Sequence, residues 1–220
     1  MKFTRDEIRR SMLLYAISDR TWLKEGESLA DVCRRVLDGG ATFLQIREKD
    51  LEPGRFAQEA EELRQLCQRR NVPFVVNDSV EIALSCGADG VHVGQSDLRG
   101  RDIRALIGPD RILGISAGTV AEAKAAQEAG ADYIGVGAVF GTSTKKDARN
   151  LTVEALRDIV RAVSIPVVAI GGINAGNIAQ LKGSNVDGVA VISAIFGAED
   201  PGAATSKLLA LAKDMVAAHG

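Results

Sequence analysis

Residues suited to holding anions and hard cations recur in this chain, each time just after a short apolar run. After residues 42–46 (TFLQI) comes Arg47-Glu48-Lys49-Asp50. Gln45 and Arg47 are two apart, so on a strand they share one face. A Gln and an Arg directed into an interior need partners, because burying them unpaired is costly. A heterocycle for the Gln45 amide and an anion for Arg47 and Lys49 would supply them. Surface pairs Arg47–Glu48 and Lys49–Asp50 are the plainer alternative. After residues 73–76 (PFVV) comes Asn77-Asp78, and after 90–93 (GVHV) comes Gly94-Gln95-Ser96-Asp97. Two carboxylates from neighbouring strand ends, completed by phosphate oxygens and water, suit Mg²⁺. Taken alone, Asp78 before Ser79 and Asp97 before Leu98 each also fit a helix cap. As a pair beside Arg47 and Lys49 they point to a metal.

Further along stand Ser116, a hydroxyl able to donate to a phosphate or to cap a helix, and the run Gly141-Thr142-Ser143-Thr144-Lys145-Lys146-Asp147. The latter reads as an anion-binding lid. Gly171-Gly172-Ile173-Asn174 and Ile192-Ser193 follow the last two apolar runs, where backbone N–H groups commonly cradle a phosphate. Several chemistries are excluded. No GxSxG surrounds Ser116, and no GxxxxGK[ST] loop is present. His92 has neither a second His nor a Cys at zinc spacing and reads as a structural or substrate-packing residue. The residues therefore describe two anion sites in one cavity and no acid/base dyad or nucleophile. That combination suits two phosphorylated substrates and a good leaving group such as diphosphate.

The elements that must position these residues follow one rhythm. Apolar runs at 13–17, 42–46, 73–76, 90–93, 111–115, 133–136, 166–170 and 188–192 alternate with amphipathic stretches such as 29–37, 54–70, 121–129 and 153–163. The endings DGGATF, SCGADGV, EAGADYI and NVDGVAV repeat a glycine helix stop leading into a strand. Strands separated by helices pair in parallel, and eight such units predict a closed (β/α)₈, or TIM, barrel spanning residues 1–220 as one domain. Residues 4–10 fit a short extra helix over the barrel floor. The chemical residues fall after the strands, where such barrels hold their active sites. The chain has 220 residues, 46% apolar and 25% charged, with 27 Lys and Arg against 29 Asp and Glu. This balance offers no footprint for nucleic acid or an anionic membrane. Only 4% of residues are aromatic, too few for a base-stacking surface. The charged N-terminus lacks a secretory apolar segment, and the three cysteines, Cys33, Cys67 and Cys86, match no metal spacing and read as buried helix residues. A cytoplasmic protein is expected. The exposed helix faces are mixed in character and mark no oligomer patch.

The motifs LLYAISDR, LQIREKD, VVNDSVEIALSCGADGVHVGQSDL, GISAGT, GTSTKKDA, AIGGIN and VISAIF, in order over residues 13–197, resemble those of the thiamine phosphate synthase family. The resemblance implies a Mg²⁺-dependent transferase. Its family joins hydroxymethylpyrimidine diphosphate to hydroxyethylthiazole phosphate, or the carboxylated form of the latter, and releases diphosphate. It implies that Gln45 binds the aminopyrimidine, that Arg47, Lys49, Asn77, Ser116 and Lys145 hold the diphosphate, and that Asp78 and Asp97 ligate Mg²⁺. It also implies that Thr142, Ser143 and Thr144 close over the thiazole, with Gly172, Ile192 and Ser193 on its phosphate. Arg47, Lys145 and Ser116 would act by charge stabilisation and positioning. This chain departs from the family in having Ala138 and Gly141 where prolines are usual, and Leu98-Arg99 where Met-Pro is common. A thiazole phosphate tautomerase on the same barrel, or a non-catalytic sensor of thiazole or thiamine phosphate, are the rival readings. Neither would need the diphosphate and metal set.

Overall fold

A computed structural model describes residues 2–98, 100–141 and 151–218. Eight strands, β1 (Leu14–Ile17), β2 (Phe43–Ile46), β3 (Phe74–Asn77), β4 (Gly90–Val93), β5 (Ile112–Ala117), β6 (Tyr133–Val136), β7 (Val167–Ile170) and β8 (Gly188–Val191), close into a barrel in chain order. Every neighbouring pair is parallel, and β1 pairs β8 to complete the ring. The helices are α1 (Arg5–Ser11), α2 (Leu29–Asp38), α3 (Pro53–Arg70), α4 (Val80–Ser85), α5 (Ile103–Ile107), α6 (Val120–Glu128), α7 (Val153–Ala162), α8 (Ser193–Phe196) and α9 (Pro201–Ala217). Between β7 and β8 a 3-10 turn (Ile178–Leu181) stands where a longer helix would be expected.

Two apolar layers follow from the alternation of strand side chains. Leu44, Ile46, Val76, Val91 and Ile115 face outward and pack on the helices. Tyr15, Phe43, Val75, Ile112, Tyr133, Val168 and Ala190 face inward and fill the barrel. The extra N-terminal helix is real and closes the floor. Ile8, Met12 and the preceding Phe3 join the interior cluster from below. Thr4 and Glu7 form a reciprocal capping box that fixes where α1 starts. Six of the other helices begin at short polar caps, Ser28, Ser79, Asp102, Thr119, Thr152 and Asp200, each accepting from a backbone N–H of the first turn, while Glu52 caps α3. These caps set the helices on the outside and leave the strand C-termini gathered at one open mouth.

Candidate active site

At the end of β2 the two surface pairs considered from sequence do not form. Glu48 turns outward, where its Oε2 accepts from Arg20 Nε at 2.6 Å, and Arg20 also binds Glu59. The other Glu48 oxygen is buried and has no partner among the described residues. Neither half-buried Arg47 nor exposed Lys49 makes an ion pair among the described residues. The backbone beneath them is fixed by fully buried Ser18, which follows β1. Ser18 N donates to the Gln45 carbonyl at 2.9 Å, and Arg47 N donates to Ser18 Oγ at 3.0 Å. Two cations thus stand at this strand end with no carboxylate among the described residues paired to them.

Inside the mouth lies a chain of buried polar groups. Gln45 Nε2 donates to the Tyr15 hydroxyl at 2.6 Å. The Tyr15 and Tyr133 hydroxyls lie 2.8 Å apart. Tyr133 Oη is 3.0 Å from His92 Nδ1, and His92 Nε2 is 3.0 Å from Ser116 Oγ. Burial pushes the titration of both phenols above the usual tyrosine range, so both stay protonated. Both ring nitrogens of His92 are therefore engaged within this chain of polar groups. Ser116 is the penultimate residue of β5, and Thr119, not Ser116, caps α6. Its carbonyl accepts from Gln95 Nε2 at 2.6 Å, which ties the loop after β4 to β5. Tyr15, Tyr133 and Ser18 escape the sequence reading. The available signal was chemical: a tyrosine inside an apolar strand run must find a hydroxyl partner, and both tyrosines of this chain occupy such runs.

The cap alternatives for the two aspartates also fail. Ser79 caps α4, while Asp78 sits in the left-handed region with φ of 62° and donates its N–H to the His92 carbonyl at 2.8 Å. Asp102 caps α5, while Asp97 Oδ2 accepts from Gly94 N at 2.9 Å within the loop after β4. Asn77 ends β3, in register with His92. Among the described residues no group of three His, Cys, Asp or Glu side chains gathers to hold a metal. A cation here would draw at most two carboxylates, Asp78 and Asp97, from the described residues, with substrate oxygens and water to complete its shell.

Across the mouth, β7 leads into Gly171 and Gly172 with φ of 103° and 64°. The sequence reading assigned these glycines to close approach of a phosphate, but their first requirement is internal. A Cβ on Gly172 would lie 2.3 Å from the Gly141 carbonyl oxygen, so glycine lets the loop after β6 rest on the loop after β7. Gly172 O accepts from Asn174 Nδ2 and Asn177 Nδ2. Ile192 precedes the single turn of α8, and no side chain caps that turn. Ser193 is exposed at its start. Thr142, Ser143, Thr144 and Lys145 lie outside the described residues.

The three thiols lie in or beside helices. Cys33 and Cys67 lie in α2 and α3, and Cys86 lies one residue past α4 rather than within it. All three are buried and unpaired as disulfides, and burial raises the titration of each. Among the described residues no helix is long and apolar enough to cross a membrane.

Comparison with known proteins agrees with this geometry. A family model described as Thiamine monophosphate synthase matches residues 14–195. A thiamine-phosphate synthase of Ruminiclostridium cellulolyticum is 49% identical over 196 residues, covering 89% of this chain and 93% of its own length. One from Clostridium tetani is 47% identical over 187 residues, covering 85% and 89%. The solved thiamine phosphate pyrophosphorylase of Pyrococcus furiosus superposes with a TM-score of 0.86 at 40% identity, covering 94% of this chain and 98% of that one.

Proposed function

This chain belongs to the thiamine monophosphate synthase family, and from that premise we propose which substrates its barrel mouth joins and which residues do it. It is a transferase of that family, and its residues 1–220 act as one barrel domain. Its substrates are hydroxymethylpyrimidine diphosphate and hydroxyethylthiazole phosphate or the carboxylated form of the latter. The products are thiamine monophosphate and diphosphate, with carbon dioxide released as well when the carboxylated form is used. The observation that carries this reading is the end of β2, where Glu48 is committed to Arg20 and leaves Arg47 and Lys49 without a counter-ion among the described residues.

The reaction breaks the bond from the pyrimidine methylene to the diphosphate oxygen, and the electron pair departs with diphosphate. The thiazole nitrogen then gives its lone pair to the cationic methylene, forming the new carbon–nitrogen bond. No proton need move to or from a side chain, which matches a mouth without an acid/base dyad. The protein contributes position and charge. Arg47, Lys49, Asn77, Ser116 and Lys145 hold the diphosphate, and Arg47, Lys145 and Ser116 stabilise the charge that develops on it. Gln45 orients the pyrimidine through the carbonyl left over from its bond to Tyr15. Thr142, Ser143 and Thr144 cover the reacting centre, and Gly172, Ile192 and Ser193 receive the thiazole phosphate on backbone groups.

Asp78 and Asp97 fit Mg²⁺ in kind. Both are carboxylates at adjacent strand ends, neither is used as a helix cap, and only one Asp97 oxygen is taken by Gly94 N–H. The bound ion would neutralise the leaving diphosphate.

The test is diphosphate release from purified protein, with each substrate omitted in turn and with Mg²⁺ present or chelated. Release that needs both substrates and the metal is expected. Binding of thiazole phosphate without diphosphate release would overturn the reading in favour of a tautomerase or a sensor.

A further inference from the structure

The buried chain across the barrel has a direction, and the direction follows from counting protons. Gln45 Nε2 donates to Tyr15. Tyr15 is almost fully buried, and its only other neighbour in hydrogen-bond reach is Tyr133 among the described residues, so its single proton goes to the Tyr133 oxygen. The Tyr133 proton then goes to His92 Nδ1. That makes Nδ1 the bare nitrogen, so Nε2 carries the ring proton and donates it to Ser116 Oγ. Two groups remain uncommitted among the described residues, one at each end. The Gln45 carbonyl is an acceptor on β2, and the Ser116 hydroxyl proton is a donor on β5. With a single proton on the imidazole, reversing any one bond reverses all of them, which would offer an amide donor at Gln45 and only a lone pair at Ser116.

The barrel interior is shaped to keep this chain intact. A Cβ on Gly114 would sit 2.2 Å from Tyr133 Cζ and 2.5 Å from His92 Nδ1, and one on Gly135 would sit 3.4 Å from His92 Cε1. Glycine at 114 is therefore required by the Tyr133–His92 contact itself. The aromatic packing of Tyr15, Phe43 and Tyr133, with ring centroids 4.5 to 5.8 Å apart, holds the phenols in line.

We propose that Tyr15, Tyr133 and His92 are positioning residues that couple the two poles of the pyrimidine diphosphate. An exocyclic amino group donating to Gln45 and an anionic oxygen accepting from Ser116 select the same direction of the chain, so each end strengthens the other. A ring without the amino donor gains nothing from bound diphosphate. This deepens the substrate assignment above and rests on it.

Coupling is measured without turnover, using inorganic diphosphate with Mg²⁺ and 4-amino-2,5-dimethylpyrimidine as the two halves of the substrate. By calorimetry the wild-type protein is expected to bind diphosphate about fivefold or more tightly when the aminopyrimidine is present, and to show no such gain with 2,5-dimethylpyrimidine. Tyr133→Phe, which keeps the ring and removes the link, is expected to bring the gain below about twofold. Equal gain in wild type and Tyr133→Phe would overturn the proposal. It would leave the substrate assignment standing, since that is judged by diphosphate release in the wild type. A second measurement needs no core variant. Imidazole ¹⁵N shifts should show His92 with its proton on Nε2 when Mg²⁺ and diphosphate are bound, and a His219→Asn variant assigns the two histidines. A proton on Nδ1 in that complex would overturn the direction and the proposal with it.

Discussion

The two ends of the barrel use polar residues in opposite ways. At the floor the aspartates that precede strands are answered within the protein. Before each even strand stands one polar side chain that accepts the backbone N–H at the start of the preceding odd strand. Thr42 Oγ1 accepts from Leu14 N at 2.8 Å, Asp89 from Phe74 N at 3.0 Å, Asp132 from Leu113 N at 2.8 Å and Asp187 from Val167 N at 2.8 Å. Each aspartate also has a cation: Lys2, Arg104 and Arg9 respectively. At the mouth the repeat stops. Arg47 and Lys49 have no counter-ion among the described residues, and α4 and α5 take their caps from Ser79 and Asp102 rather than from Asp78 or Asp97, the latter accepting from Gly94 N–H. Satisfied charge marks the end that holds the fold together, and unsatisfied charge marks the end that binds. The rule that barrel enzymes place stability below and chemistry above is visible here as an accounting of hydrogen bonds.

The sharpest way to break this contrast is to remove the most buried of the unanswered cations. Arg47→Ala is expected to lower kcat/KM by about 10²- to 10³-fold, the range for losing one preorganised contact to developing charge. Its urea midpoint should stay close to wild type, because the side chain has no protein partner to abandon. A variant with near-normal kcat/KM would remove Arg47 from the diphosphate site and the contrast with it. A smaller effect is expected at Asp78. Asp78→Ala should raise the Mg²⁺ concentration for half-maximal rate by about 10-fold or more, as losing one of few carboxylate ligands does. Initial rates against metal concentration decide it, and an unchanged requirement would return Asp78 to a loop-shaping role.

How much of this was legible beforehand differs between the two ends. The floor repeat was half visible. The segments DGGATF, SCGADGV, EAGADYI and NVDGVAV announced four equivalent turns, but the partner of each polar residue lies on the preceding strand and emerges only with the register. Strand boundaries slipped where proline leads: Pro73 and Pro166 have no N–H for the ladder, so β3 and β7 begin one residue later. At the mouth, residue type and position placed Gln45, Arg47, Asp78, Asp97 and Ser116 at or just after strand C-termini, and the strands end where that reading needs them to. What sequence could not supply was where Glu48 would turn. Its partner Arg20 is 28 residues away in another loop, and local spacing favours its neighbour Arg47. The Tyr15–Tyr133 contact spans 118 residues and was equally out of reach.

The same contrast makes an opposite prediction for the floor, where variants should cost stability and spare the rate. Asp132→Ala strands the Leu113 N–H and removes one partner of Arg104, which keeps its bonds to the Gly108, Arg111 and Gly130 carbonyls. A buried donor left without its charged acceptor costs about 3 kcal/mol. Urea unfolding should show that loss, with kcat/KM unchanged within about twofold because the site lies at the far end of the strands.

Thr42→Val is the mildest of these changes and the most discriminating. Thr42 is the neutral member of the repeat. Its hydroxyl accepts from Leu14 N and donates to the Ser11 carbonyl at 2.8 Å, so valine keeps the shape and loses both bonds. A neutral hydrogen bond is worth about 1 kcal/mol, against about 3 for the charged aspartate. If the four positions are one structural device, Thr42→Val, which loses two such bonds, should cost about two-thirds as much as Asp132→Ala. The two should add to within about 0.5 kcal/mol, since they sit on different strand pairs with no shared partner. A Thr42→Val loss equal to that of Asp132→Ala would mean that the orphaned N–H, rather than the charge, sets the cost at every position. The floor's three ion pairs would then be surface decoration, and the opposition of satisfied and unsatisfied charge would rest on the mouth alone.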